Sequence, residues 1–253
     1  MDPLVTEAVV LHAFDYLETS RIVRLMTRDA GVQSVLARGA RSSRKRFGSA
    51  IDLFAQGTAE IHVRPNRDLQ ALASFDVTRA RPQLATDVGR FTAGSMIAEL
   101  SLRWASEESA PGLFDAVELA LDKVAAAPAG ESIEAALAGA WHIIATLGFT
   151  PALDVCANCH ANLDPGARVV FSHSAGGALC ANCGKLAAGS RVIPATARNA
   201  VREWTSGGGA PIGGDSEARA HQRLLREFFQ EHLGAEKELR AYRVWEQGAW
   251  SAA

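Results

Sequence analysis

Residues 21–37 read Arg-Ile-Val-Arg-Leu-Met-Thr-Arg-Asp-Ala-Gly-Val-Gln-Ser-Val-Leu-Ala. Val23, Leu25 and Thr27 alternate against Arg24, Met26 and Arg28, the period-two pattern of a strand with one buried face. Asp29-Ala30-Gly31 follows, and Asp and Gly both tolerate the positive φ of a tight turn. Val32–Ala37 then resumes a strand pattern. The stretch reads as a β-hairpin.

Working outward, the same signals recur on both sides. Val5–Phe14 is a strand candidate upstream. Downstream, Ile51–Arg64 reads as a long fourth strand with Gly57 marking a bulge or bend. Pro65-Asn66-Arg67-Asp68 turns the chain and Leu69–Val77 is the fifth strand. Five short strands leave exposed edges unless the sheet closes, and closure points to a small barrel. The OB-fold is the commonest such solution; a five-stranded sandwich or an SH3-like barrel is the alternative.

After Arg81-Pro82 the apolar spacing becomes helical. Leu84–Ala105 reads as one helix. Pro111 suits a first helical turn, and Leu113, Phe114, Val117, Leu121 and Val124 repeat at helical intervals. Ser132–Leu147 is closed by Gly148, Ala195–Thr205 is a short helix, and Ser206–Gly214 reads as a mobile glycine-rich linker. Asp215 or Ser216 should cap a final helix running to His232, stopped by Gly234. The expected fold is therefore α+β: an N-terminal five-stranded OB-fold barrel over 1–81, then a helical domain over 82–253 with an insertion at about 154–186.

That insertion holds all four cysteines. Cys156-Ala-Asn-Cys159 and Cys180-Ala-Asn-Cys183 are separated by twenty residues. A C-x-x-C turn aims two sulfurs at one point, and two such turns supply a closed tetrahedral S4 shell suited to Zn²⁺. A filled shell leaves no position for water or substrate, so one structural zinc is expected on Cys156, Cys159, Cys180 and Cys183. Free thiols, an iron–sulfur cluster and redox dithiols are the alternatives. A two-stranded flap around Val169-Val170-Phe171 would fit the intervening segment.

The chain has 253 residues, 48% apolar and 21% charged, with a net charge of −2. The whole molecule is not an obvious polyanion binder, but charge is uneven. Residues 1–82 carry 12 basic against 9 acidic side chains, a net of +3, and the remainder a net of −5. Arg38, Arg41, Arg44, Lys45 and Arg46 fall within nine residues without an intervening acid, among Ser42, Ser43 and Ser49. Such a loop suits phosphate contact. A solvated charge run is the plain alternative. Arg21, Arg24, Arg64 and Arg67 would extend a nucleic-acid path, and Phe47 and Phe54 are either stacking faces or core. No Walker motif, G-x-S-x-G or H-E-x-x-H occurs, so the positive case for an enzyme is weak. No secretory signal or membrane span is apparent, and a cytoplasmic location is expected.

Several runs resemble the bacterial recombination-repair family RecO. They are Glu7–Leu11, Tyr16–Val23, Thr27–Gly31, Ala37–Ser43, Leu53-Phe54, Leu113-Phe114, Leu147–Leu153 leading into Cys156–Cys159, and Phe228–Gly234. The resemblance covers nearly the whole chain in order. It departs at Leu53, where members often carry Pro, and in the tail beyond Ala235 with Trp245 and Trp250. It implies an OB-fold, a helical domain and, in many members, a zinc finger. It also implies binding of single- and double-stranded DNA and strand annealing without enzymatic chemistry. The implied partners are RecR and single-strand-binding protein (SSB), with RecA loaded onto SSB-coated strands, and the implied location is nucleoid-associated. A second expectation is an assembly module whose helical domain docks RecR or the acidic, hydrophobic SSB tail. Arg103, Lys123, Arg198, Arg202, Arg219, Arg223 and Arg226 are its candidate cations. A zinc hydrolase is the remote third.

Overall fold

The computed structural model describes residues 3–41, 47, 51–128, 131–234 and 239–248. Strands β1 (Leu4–Tyr16), β2 (Ser20–Thr27), β3 (Gly31–Ala37), β4 (Gln56–His62) and β5 (Gln70–Arg79) form a closed barrel in the order β1-β2-β3-β5-β4. Only β3 and β5 pair in parallel, and β1 closes the ring against β4. This is the OB-fold, as the alternating runs led one to expect.

Alternation places Ala8, Val10, Val23, Leu25, Val35, Ala59 and Phe75 inside the barrel, all essentially buried. Their outward neighbours Val9, Leu11, Met26 and Val32 are buried too, because helices cover that side. A register shift between Val10 and His12 realigns β1 past this covered zone.

The fourth strand is shorter than its apolar run suggests. Ile51–Ala55 lies outside β4, and Phe54 turns the chain with φ 69°. Its N–H donates to Val10 O at 2.8 Å, while Val10 N–H donates to Ala55 O at 2.9 Å. The Phe54 ring reaches Gly94, where a Cβ would stand 3.1 Å from it. Beside Gly57 the β4–β5 register shifts, and a Cβ there would meet Asp76 O at 2.3 Å.

Beyond the barrel come α1 (Val88–Trp104), α2 (Pro111–Ala126), α3 (Ser132–Thr146), α4 (Ala195–Thr205), α5 (Asp215–Leu233) and α6 (Arg240–Gln247), with single helical turns at Gln83–Thr86 and Ala181–Gly184. The expected helix over Leu84–Ala105 is interrupted at Asp87, which is extended and accepts a hydrogen bond from Arg90 N–H at 2.8 Å. Helix α1 is buried along most of its circumference, between barrel and bundle. Pro111 stands at the start of α2, and Gly148 follows α3 with φ 94°. Gly214, not Asp215 or Ser216, precedes α5, and Gly234 ends it with φ 63°.

Residues 206–214 are tied down rather than loose. Lys123 Nζ donates to Gly207 O, and Gly208 N–H to Glu203 O. Helix α6 has no counterpart among the elements expected from sequence. Glu99 accepts from the N–H groups of Arg240 and Tyr242, Tyr242 hydroxyl donates to Gln222 O at 2.6 Å, and Trp245 is buried. Trp250 lies outside the described residues.

Barrel and bundle share a polar seam. Buried Arg81 donates to Phe54 O and to Gln56 Oε1, both at 2.9 Å, and to Asp122 on α2. Arg28 pairs with Glu7 at 2.7 Å and Asp115 at 2.8 Å, its guanidinium 4.5 Å above the Phe114 ring.

Candidate functional site

Strands β6 (Val169–Ser172), β7 (Gly177–Leu179) and β8 (Arg191–Ile193) form a three-stranded sheet that carries the cysteine turns, one strand more than the flap expected. In each turn a backbone N–H returns to the first cysteine. His160 N–H donates to Cys156 O at 2.9 Å, and Gly184 N–H to Cys180 O at 2.8 Å. Gly177 lets Ala152 pair alongside β7, for a Cβ would fall 2.2 Å from Ala152 O.

The four Sγ atoms lie within 4.8 Å of one another. Cys159 Sγ and Cys180 Sγ are 3.8 Å apart. A tetrahedral zinc with bonds of ~2.3 Å has S–S edges of roughly 3.8 Å, so the spacing fits that ion. Cys156 is buried, whereas Cys159 is exposed. Burial opposes ionisation of Cys156, but N–H groups of Cys159, Cys180 and Asn158 outweigh it and hold the thiol at about 6. Cys183 is pushed up to about 12, first by its hydrogen bond with Cys180. Cys183 thus holds its proton among crowded sulfurs, and a divalent cation would take that proton's place. All four donors are sulfur, and such a shell is closed to substrate. His173 does not join it; its Nε2 stands 3.0 Å from Glu227 Oε2.

The sheet is fastened to the bundle by charge. Glu227 on α5 takes Arg191 and His173 together, Arg202 pairs with Asp154, and buried Arg198 donates to Asp164 O at 2.6 Å. Arg226 pairs with Glu246. Of the bundle cations read from sequence, Lys123, Arg198, Arg202 and Arg226 therefore serve the fold, and Arg103, Arg219 and Arg223 have no ion pair among the described residues.

The barrel's basic residues separate into groups. Arg21 and Arg41 both face Asp15, with Nε–O distances of 3.0 and 3.6 Å. Arg38 borders a cavity of about 480 Å³ with His62, Arg64 and Arg67. Arg24 points from the other face of β2, and its Nε is buried without a hydrogen-bond partner among the described residues. Arg44, Lys45 and Arg46 lie outside the described residues. Phe47 and Phe54 are core, at 1% and 2% exposure, and offer no stacking face.

Comparisons with known proteins agree along the chain. The model of the family described as Recombination protein O N terminal matches residues 1–81, and that described as Recombination protein O C terminal matches residues 85–241. A DNA repair protein RecO of Anaeromyxobacter sp. (strain K) is 35% identical over 240 residues, 92% of this chain and 93% of that protein. The DNA repair protein RecO of Myxococcus xanthus (strain DK1622) is 31% identical over 233 residues, 90% and 91% of the two chains.

Proposed function

Because the chain belongs to the RecO family of DNA repair proteins, we propose that it is a DNA-binding recombination mediator that anneals complementary strands. With RecR it would help load RecA onto SSB-coated single strands. The observation that carries this reading is the net basic rim of the barrel, where Arg21 and Arg41 share one carboxylate, Asp15, and Arg38, Arg64 and Arg67 surround a cavity with one acid, Asp68. Arg44, Lys45 and Arg46 continue the basic run in sequence.

Annealing needs no catalytic residue. Two strands approaching each other repel through their phosphates. Arginine and lysine on the rim neutralise that charge and release counterions, while base edges stay free to pair. In this reading residues 1–81 are the DNA-binding domain, and 82–253 the helical domain with its zinc finger at about 154–186. Cys156, Cys159, Cys180 and Cys183 would hold one Zn²⁺. That ion supplies cross-linking of the insertion and no bond-breaking chemistry. The working location is the cytoplasm, at the nucleoid.

A second reading gives the bundle a docking role for the acidic, hydrophobic SSB tail. A cavity of about 530 Å³ between β8, α4 and α5 favours it. Apolar Val192, Ile193 and Leu224 line it beside Arg191 and Arg223, and Val192 is 62% exposed. A pull-down with the tail peptide, repeated without its terminal Phe, tests this docking.

The test of the leading reading is annealing of complementary oligonucleotides, bare and SSB-coated. Acceleration over the spontaneous rate in both is expected. No acceleration in either would overturn it.

A further inference from the structure

The helices cover only part of the barrel's outer wall. Val9, Met26 and Val32 form the covered row. Past the register shift in β1, the wall emerges from beneath α1. There His12 pairs with Arg24, Phe14 with Ile22 and Tyr16 with Ser20 across β1 and β2. Phe14 and Tyr16 are two residues apart on one strand and so share a face. They are 44% and 41% exposed, unusual for two neighbouring aromatic rings on a chain with so much core to fill. The His12 and Phe14 ring centroids lie 5.7 Å apart.

Phe14, with Tyr16 next along the same face, lines a groove of about 1080 Å³ between the barrel, α1 and the start of α6. Arg24, Arg103 and Arg240 border it. None of the three has an ion-pair partner among the described residues, and Arg24 Nε has no hydrogen-bond partner there. The acid in the groove, Glu99, already accepts from the backbone N–H groups of Arg240 and Tyr242. Exposed rings thus stand next to a groove where three guanidinium groups face one carboxylate, a net positive charge. A ligand matching both carries flat π-faces and negative charge, the chemistry of an unpaired nucleic-acid strand.

We propose that the outer face of β1 and β2 around Phe14 and Tyr16 is the site where unpaired bases stack, with the strand's phosphates led along Arg24 toward Arg103 and Arg240. This rests on the DNA-binding reading above and deepens it. The basic rim recognises phosphate, which duplex and single strands share. The aromatic face recognises bases that are not already stacked on partners, so it favours single strands over duplex. Phe47 and Phe54, the aromatic candidates suggested by sequence, are enclosed in core; the rings presented to solvent are Phe14 and Tyr16.

The test compares two single-stranded oligonucleotides of equal length, one with thymine bases and one abasic throughout. Phosphate contacts are identical and only stacking differs. The unaltered protein should bind the thymine strand about tenfold or more tightly than the abasic strand. The Phe14→Ala/Tyr16→Ala double variant should lose that preference while keeping its abasic-strand and duplex affinities. The Phe14→Tyr/Tyr16→Phe variant, which keeps both rings, should retain the preference. As an independent readout, a strand carrying 2-aminopurine should lose fluorescence on binding to the unaltered protein and not to the alanine variant. A double alanine variant that still prefers the base-bearing strand would overturn the proposal. So would an unchanged affinity for every DNA in a variant that instead fails to hold a protein partner. Absence of binding to any strand, abasic included, would mark failure of the DNA-binding reading itself.

Discussion

Arg81 Nε donates to Asp122 Oδ1 at 2.6 Å, an ion pair that joins the end of the barrel to helix α2. The Arg81 side chain is 2% exposed, so its charge depends on the partners it has inside the protein. Removing Asp122 leaves it with two neutral acceptors, Phe54 O and Gln56 Oε1. Breaking such a buried pair from one side costs about 3–5 kcal/mol, and Asp122 is a third exposed, which argues for the lower end. Asp122→Ala should therefore lower the free energy of unfolding by about 3 kcal/mol in urea titration. A change below roughly 0.5 kcal/mol, the range of ordinary surface substitutions, would show the seam to be energetically idle.

Gly31 turns the β2–β3 hairpin with φ 58°, and the turn presses on the loop after α1. A Cβ there would lie 2.3 Å from Ser106 O and 2.4 Å from Glu108 O, and Val32 N–H donates to Ser106 O at 2.9 Å. Gly31→Ala combines positive-φ strain of about 1–3 kcal/mol with a backbone clash. The melting temperature should fall by several degrees at least. An unchanged melting temperature would mean the hairpin can move away from the bundle at no cost.

His221 is buried on α5 with its ring 4.7 Å from that of Trp204. Burial pulls this imidazole below its ordinary pKa, with Glu217 opposing. Burial lowers His173 likewise, against Glu227. The unfolded chain takes up protons on these rings at a higher pH than the folded protein does. Stability from the neutral rings is complete above the ordinary histidine pKa of about 6.5 and is lost as pH falls below it. The urea midpoint should drop between about pH 7 and about pH 5, and His221→Gln should flatten part of the slope. An identical slope in the variant would remove His221 from the account.

The four sulfurs predict one bound zinc per chain by elemental analysis, and its loss in Cys180→Ser. Because a structural zinc contributes about 10–16 kcal/mol of binding free energy to the fold of a small module, its removal should open residues 154–186 to protease. The barrel lies apart from that sheet, so DNA affinity should persist. Chelation that abolished DNA binding while leaving the rest of the fold intact would contradict this separation.

Much of the fold is legible in the sequence because it is local. The β2–β3 hairpin follows from alternation and Gly31, and the cysteine cluster from two short spacings. What escapes such a reading depends on tertiary surroundings. Ile51–Ala55 is as apolar as a strand, yet Phe54 leaves extended geometry to seat its ring against Gly94. Asp87 breaks the expected helix by capping the next one. Helix α6 is short, and its Tyr242 and Trp245 find their places only once Glu99 and Gln222 are brought near. The aromatic face at Phe14 and Tyr16 is hidden for the same reason. Which side of β1 meets solvent is decided by the register shift after Val10 and by how far α1 reaches.

The basic run at residues 38–46 carries the proposed contact with the DNA backbone. That contact is tested most directly by titrating a single-stranded oligonucleotide, over a series of salt concentrations, into the unaltered protein and into one with Arg38, Arg41, Arg44, Lys45 and Arg46 all changed to alanine. The unaltered protein should bind with an affinity that falls steeply with salt. The variant should bind much more weakly, its logarithmic salt slope smaller by about 0.7 for each phosphate that is no longer neutralised. Equal affinity and equal slope in the two proteins would contradict the claim.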